Sequence, residues 1–430
     1  MIFNNVIFYG DGSHMKRSLL TMIVMATLGA AHAVAAQPTT EEKLNILQQE
    51  VDALKGKFAS TQGNGMNSSD SNYAMHGASS GKTTLGGYGE IVLNNYRDPN
   101  VKDEADLKRF VLFFGHKFND RLKLVSELEV EHAKADKDGG EVAMEQAYLE
   151  YGISKKVNAR AGMMLMPMGI VNETHEPPTF YGVERNEIES RIIPSTWREL
   201  GFALQGEATD GLEYNVGIST SPDASKYKDA AKGYRDLRTS GRQVAANDYG
   251  LFAALNYRGI PGVLLGGSVF SGNTAQDGRG ATAKAALAGA DAKLTVWEMH
   301  AKYSFSNLEL QALYARGTLS DTDKINTAAT LALGSNKAAP KAFYGWYTQV
   351  AYHVWKQGDI DVAPFIRYEK YNTQQEVDEG YITDLKNDEA VTTTGVSIKL
   401  HPQVVIKADF QRYQTDSKKD RVNLGVGYMF

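Results

Sequence analysis

From Thr83 to the last residue, apolar and polar side chains alternate in segment after segment, a period of two that leaves room for little except β-strands. Leu122, Leu124, Leu128 and Val130 share one parity, while Arg121, Lys123, Glu127, Glu129 and Glu131 share the other. Trp297, Met299, Ala301, Tyr303 and Phe305 oppose Glu298, His300, Lys302 and Ser304 in the same way, and Val404, Ile406, Ala408 and Phe410 oppose Lys407, Asp409 and Gln411. Each strand therefore has one face suited to an oily medium and one suited to water. A soluble β-sandwich alternates too, so connection lengths have to decide between the two.

Sixteen such segments can be counted between residues 83 and 430, an even number. Tight turns at Asn119-Asp120, Ser154-Lys155, Thr209-Asp210, 259–262, Ser306-Asn307, Gln357-Gly358 and His401-Pro402 alternate with long connections at 95–105, 134–141, 166–198, 221–246, 272–291, 319–341 and 372–388. Short turns at one rim and long loops at the other mark bacterial membrane barrels, and a sandwich has no reason to sort its connections this way. The expected fold is all-β, a 16-stranded antiparallel transmembrane β-barrel over residues 83–430, with its long loops outside the cell.

The other features agree. Beyond the N-terminus no apolar run reaches the roughly 18 residues a membrane helix needs, so helical spans are excluded. Cysteine is absent, which removes disulfides, thiolate metal sites and cysteine nucleophiles together. The net charge of −5 is no nucleic-acid footprint, and nucleic acid is not expected as a partner.

Residues 15–36 read as a secretory signal: Lys16 and Arg17, an apolar run from Leu19 to Ala31, then small residues at Ala31-His32-Ala33 and Val34-Ala35-Ala36. Because residues 1–14 precede a complete signal, Met15 is expected to be the true start. In 37–59, Leu44, Leu47, Val51, Leu54 and Phe58 fall at the spacing of a coiled-coil seam, and a short periplasmic coiled-coil helix that assists trimerisation is expected there. Residues 60–82 are rich in Ser, Asn and Gly and read as a flexible linker.

One connection is too long to be idle. Residues 167–198, PMGIVNETHEPPTFYGVERNEIESRIIPSTWR, make an extended link crowded with Glu, Arg and Pro, and links of that length in compact domains are usually functional. In a barrel, segment 166–198 is expected to fold into the lumen as a filter stiffened by Pro177, Pro178 and Pro194. Its charges, Glu173, Glu176, Glu184, Arg185, Glu187, Glu189, Arg191 and Arg198, are the candidate constriction. They could act as a field across the pore, or they could pin the segment by pairing. Inward parity gives a candidate pore wall of mixed sign: Lys123, Glu127, Glu129, Arg160, Lys302, Arg367, Lys407 and Asp409. The chain stops inside its last strand, and Tyr428 and Phe430 are similar to the aromatic ending that outer-membrane barrels present to the barrel-assembly machinery.

Several motifs together resemble the phosphate-selective porin O and P family: Leu85-Gly-Gly-Tyr-Gly-Glu90, Arg109-Phe-Val-Leu-Phe-Phe-Gly-His116, Glu145-Gln-Ala-Tyr148, and above all the run from Asn172 to Arg185 continuing through Pro194 to Arg198. The resemblance implies a homotrimer of 16-stranded barrels with the third loop turned inward. It also implies a passive channel in the Gram-negative outer membrane, bedded in lipid and lipopolysaccharide, for small hydrophilic solutes and ions, anions such as phosphate among them. The lumen of mixed sign does not itself call for strong anion selectivity.

Catalytic chemistry is sparse. His175-Glu176 runs into Pro177-Pro178 where a zincin helix would need a second histidine, and no G-x-S-x-G elbow exists. No cofactor, metal or catalytic residue is expected. The competing readings are an outer-membrane barrel enzyme of protease or lipase type, which has fewer strands, and a plugged structural or adhesive barrel.

Overall fold

The computed structural model describes residues 77–430, apart from 137–138, 279–284 and 334–337; the signal, the coiled coil and most of the linker lie outside the described residues. Sixteen strands form one antiparallel sheet. They are β1 Thr83–Tyr96, β2 Glu104–Lys117, β3 Leu122–Asp136, β4 Gly139–Ser154, β5 Val157–Leu165, β6 Arg198–Thr209, β7 Leu212–Thr220 and β8 Tyr249–Tyr257, followed by β9 Val263–Asn273, β10 Lys293–Phe305, β11 Leu308–Leu319, β12 Ala342–Tyr352, β13 Ile360–Glu376, β14 Asp388–His401, β15 Val404–Tyr413 and β16 Arg421–Met429. Each pairs with its neighbour in sequence, and β16 returns to β1 in a register running from Arg421 opposite Tyr96 to Met429 opposite Tyr88. The sheet is closed and has no free edge. Phe430 completes the seam, its N–H donating to Gly87 O at 2.8 Å and its carbonyl accepting from Gly87 N at 3.0 Å.

The alternation reads directly onto the two faces. Leu93, Leu149, Phe202, Leu251, Met299, Ile366 and Leu424 are exposed, while Glu127, Glu129, Glu298, Glu369 and Asp409 are buried. Exposed apolar side chains on strand after strand would be an untenable surface in water and are the expected one in lipid. Aromatic pairs add to the outer band, Trp297 with Tyr314 at 5.4 Å and Trp346 with Tyr368 at 5.6 Å between ring centroids.

Two short strands lie beyond the sixteen. Gly77–Ser80, at the end of the stretch read as linker, pairs back on Thr83–Gly86, and Trp355–Gln357 pairs with the start of β13 after a break at the end of β12. The tight turns are built locally. Asn119 Oδ1 accepts from the N–H groups of Arg121 and Leu122 at 2.9 Å, and Gly211 takes a φ of 76° that a side chain would disfavour.

The interior departs from the expectation of a wet lumen entered by one segment only. Tyr227, Tyr234 and Leu237 of the 221–246 loop, Leu287, and Ile325, Ala328 and Ala329 of a helix (α1, Thr322–Leu333) are all buried in one apolar cluster. They pack with Met166, Ile188, Ile192, Ile193 and Trp197 of the long segment and with inward residues Phe252, Phe270, Leu313, Phe343 and Tyr347 of the strands. Trp197 lies edge-on to Phe270 at 4.9 Å and to Tyr234 at 5.5 Å. Loop length alone had placed these connections outside. Their content of Tyr, Leu, Ile and Ala is what drives them onto a core.

Glycines on neighbouring strands make room for the inward rings. A Cβ at Gly317 would meet Phe343 Cζ at 2.0 Å, and one at Gly250 would meet Phe270 Cζ at 2.2 Å. Gly317→Ala is expected to overpack this fully buried ring and cost about 1–3 kcal/mol. The loss should appear as a lower midpoint of heat-induced unfolding on gels, and a Gly317→Ala/Phe343→Leu double variant should recover part of it. An unchanged midpoint for Gly317→Ala would contradict the packing.

Candidate functional site

Segment 166–198 is fastened to the inside of the barrel along its length. Asn172 ties its neck, Nδ2 donating to Met166 O at 2.7 Å and to Trp197 O at 3.1 Å while Oδ1 accepts from Trp197 N at 2.9 Å. Farther along, Lys407 donates to Gly182 O at 2.8 Å, Val183 N donates to Asp409 Oδ2 at 2.6 Å, and Glu187 N donates to Glu369 Oε1 at 2.6 Å. The partners come from β13 and β15, far round the sheet from the strands the segment joins. Ile188–Ile192 forms one wide π-type turn whose isoleucines enter the apolar cluster.

The eight charges of the segment separate into two groups. Glu184, Glu187 and Glu189 are held in place. Glu184 pairs with Lys108 and accepts from Asn94 at 3.3 Å; Glu187 pairs with Arg191 and accepts from the Tyr413 hydroxyl at 2.7 Å. Glu189 is buried and accepts from Ile170 N, Val171 N, Asn186 Nδ2 and the Tyr347 hydroxyl, between 2.5 and 2.9 Å. Arg191 also donates to Ala231 O at 3.1 Å and lies over the Tyr371 ring.

Arg185 and Arg198 are placed differently. Arg185 donates to His175 O at 3.2 Å, and Arg198 lies 3.5 Å from Glu145 Oε1 and donates to Thr196 O at 3.4 Å. Glu173 and Glu176 are half-buried, and no ion pair of either is found among the described residues.

Most of the wall charges neutralise one another. Glu150 pairs with both Lys123 at 2.9 Å and Arg160 at 2.7 Å, Lys302 pairs with Glu309 at 3.1 Å, and Arg367 pairs with Glu369 at 2.8 Å. Arg109 bridges Glu90 at 2.8 Å and Glu129 at 3.3 Å. Paired charges of this kind hold the wall and contribute little net field.

Two arginines that segment-based reasoning passed over complete the site. Arg238 Nη1 donates to Ser195 O at 2.5 Å, and Arg235 Nη1 donates to Ser195 Oγ at 3.3 Å, so the 221–246 loop lays both guanidiniums against the end of the long segment. Among the described residues no carboxylate forms an ion pair with Arg185, Arg235 or Arg238. Burial, then the charge of Arg185, pulls the pKa of Arg235 down against the opposing charges of Glu131 and Asp236; burial, then Arg235 and Arg198, does the same to Arg238 against Glu199. Like charges are thus crowded where solvent is scarce, an arrangement an anion relieves. The signal that could have found them is the basic, Tyr-bearing run Tyr234-Arg-Asp-Leu-Arg238, whose apolar members drive the loop inward.

The family model described as phosphate-selective porin O and P matches residues 86–360 of this chain. An uncharacterised protein of Aquifex aeolicus (strain VF5) is 33% identical over 346 residues, covering 78% of this chain and 77% of that protein. Among solved structures, OmpF of Salmonella typhi, in complex with daunomycin, superposes with a TM-score of 0.53 at 14% identity, covering 81% of this chain and 97% of that one. The outer membrane channel DcaP of Acinetobacter baumannii gives 0.51 at 13% identity, with the same coverage. At those identities the two structures speak for the barrel fold.

Proposed function

Because this chain belongs to the phosphate-selective porin O and P family and is an outer-membrane porin of a Gram-negative cell, we propose that its bore is narrowed by segment 166–198 together with the 221–246 loop and that it favours small anions. The observation that carries this reading is the group of arginines at the junction of those two segments, of which Arg185, Arg235 and Arg238 have no acidic partner among the described residues. Their charge is left to act on permeating ions, whereas most of the wall charges are spent on each other. Phosphate, sulfate and small carboxylates share the geometry that a guanidinium reads. Passage is passive diffusion, with no turnover.

The remaining parts of the reading follow the family. The barrel works as a homotrimer set in lipid and lipopolysaccharide, and Tyr428 and Phe430 serve as its signal to the barrel-assembly machinery. The position of Phe430 at the closing seam supports that role.

Purified protein in a planar bilayer should give stepwise conductance, and across a potassium chloride gradient its reversal potential should take the sign of chloride preference. A potential of the opposite sign would end the anion reading while leaving the porin intact. The buried apolar cluster predicts a smaller step than an unfilled barrel of sixteen strands would give.

A further inference from the structure

We propose that Glu127, Glu145 and His175 form a binding site for a divalent metal ion of the zinc type, which staples segment 166–198 to the barrel wall. All three side chains are buried, and one ligand atom from each lies within 4.8 Å of the others. Glu127 stands on β3, Glu145 on β4 and His175 on the segment, so an ion held by all three ties the segment to two adjacent strands.

The spacing is long for a charge-assisted hydrogen bond and near that of ligands around one metal ion. His175 Nε2 lies 3.3 Å from Glu145 Oε2 and 3.5 Å from Glu127 Oε1. Charge-assisted hydrogen bonds close to about 2.7–2.9 Å, and neither contact does so. Ligands set tetrahedrally around zinc at about 2.0–2.1 Å stand about 3.3–3.4 Å from one another, close to the 3.3 and 3.5 Å of the two edges that meet at the imidazole.

Hydrogen bonding fixes which atoms face inward. The other ring nitrogen, Nδ1, lies 3.0 Å from Asn172 O and can only donate to that carbonyl, so Nε2 is the nitrogen turned toward the two carboxylates; it donates to Glu145 Oε2 while it carries a proton and offers a lone pair to a metal once that proton is lost. With Nε2 deprotonated, three ligand atoms lie within 4.8 Å of one another, and a metal ion takes the place of the proton that otherwise holds them together. Each ligand is also held from behind, as metal ligands commonly are. Glu127 Oε2 accepts from Gln146 Nε2 at 2.6 Å, Glu145 Oε1 lies 3.5 Å from Arg198 Nη1, and His175 is held by Asn172.

A second, independent observation lies beside them. The Tyr88 side chain is fully buried, its ring packs edge-on to His175 at 5.8 Å, and its hydroxyl has no hydrogen-bond partner among the described residues. Glu127 Oε1, the atom 3.5 Å from His175 Nε2, is likewise buried with no hydrogen-bond partner among the described residues, so an oxygen of the cluster itself is unclaimed. Glu129 Oε1, also without a hydrogen bond among the described residues, lies 3.3 Å from Arg109 Nη1 and is taken up by that arginine. A nitrogen and two carboxylate oxygens suit zinc better than calcium or magnesium, which take oxygen alone and more of it.

The test uses the full mature protein, purified in detergent, stripped with a chelator and titrated with zinc chloride by calorimetry. Binding of one ion per chain is expected, weakened at least tenfold in His175→Gln and in Glu145→Gln and unchanged in His401→Gln, which alters a histidine at the exposed turn. No uptake by the parent protein, or uptake that neither His175→Gln nor Glu145→Gln alters, overturns the site. Should those variants fail to fold, cobalt added to the parent protein decides. The intense visible absorption of four-coordinate cobalt supports the proposal, and the weak spectrum of a six-coordinate ion overturns it.

Discussion

With Arg185, Arg235 and Arg238 all changed to Glu, the reversal potential across a salt gradient is expected to change sign, from chloride-preferring to potassium-preferring. The three guanidiniums form no ion pair with a carboxylate among the described residues, so reversing them reverses charge that is not paired and leaves the ion pairs of the wall as they were. A unit charge about 8 Å from a permeating ion, at an effective dielectric constant of about 20, is worth about 2 kcal/mol, and salt in the lumen reduces that. Each single Arg→Ala change is therefore expected to lower the anion-to-cation permeability ratio about two- to fivefold at low salt, and less at high salt. If the triple variant inserts, conducts and keeps the parent's reversal potential, these arginines do not set selectivity. The Ala variants carry the same test should the Glu variant not assemble.

The barrel was legible because its strands obey a rule that lies wholly in local order. A face in lipid and a face in the lumen force a period of two, and all sixteen segments counted from that period coincide with barrel strands to within a few residues. Segment 166–198 stood out by length. What length could not convey is the destination of the other loops: Tyr227, Tyr234, Leu237, Leu287 and Ile325 reach one core only because the closed sheet brings its rim together, a contact between positions far apart in sequence. Glu184, Glu187 and Glu189 share a charge and a segment with Glu173 and Glu176, yet only the first three meet donors across the lumen. Pinning charge and field charge look alike in sequence; strand neighbours many residues away separate them. His175 was set aside for want of a second histidine on a helix, because a search for local spacing does not see carboxylates contributed by two strands.

Glu189→Ala is expected to be the most damaging single change in the segment, lowering stability and loosening the channel at once. Its carboxylate gathers two backbone N–H groups at 2.5 and 2.7 Å, the Asn186 amide at 2.8 Å and the Tyr347 hydroxyl of β12 at 2.9 Å. Gly169, with a φ of 76°, lets the backbone approach, since a Cβ there would lie 2.4 Å from Glu189 Oε1. Removing the acceptor leaves four donors without their partner, three of them in buried bonds, and breaking a buried charged network of this kind costs about 3–5 kcal/mol. Glu189→Gln should recover part of the loss, because it keeps one carbonyl oxygen but turns an amide N–H toward groups that are themselves donors. The damage should register as a lower unfolding midpoint, faster protease cleavage within 170–193 and noisier, larger single-channel steps as the segment leaves the wall. Glu176→Gln, in the same segment but with no hydrogen bond to its carboxylate among the described residues, should leave the midpoint where it was. A Glu189→Ala channel as quiet and as heat-resistant as the parent would mean that the segment is held by its apolar turn, Ile188 to Ile193 against Phe343 and Tyr347, and that the carboxylate latch adds nothing.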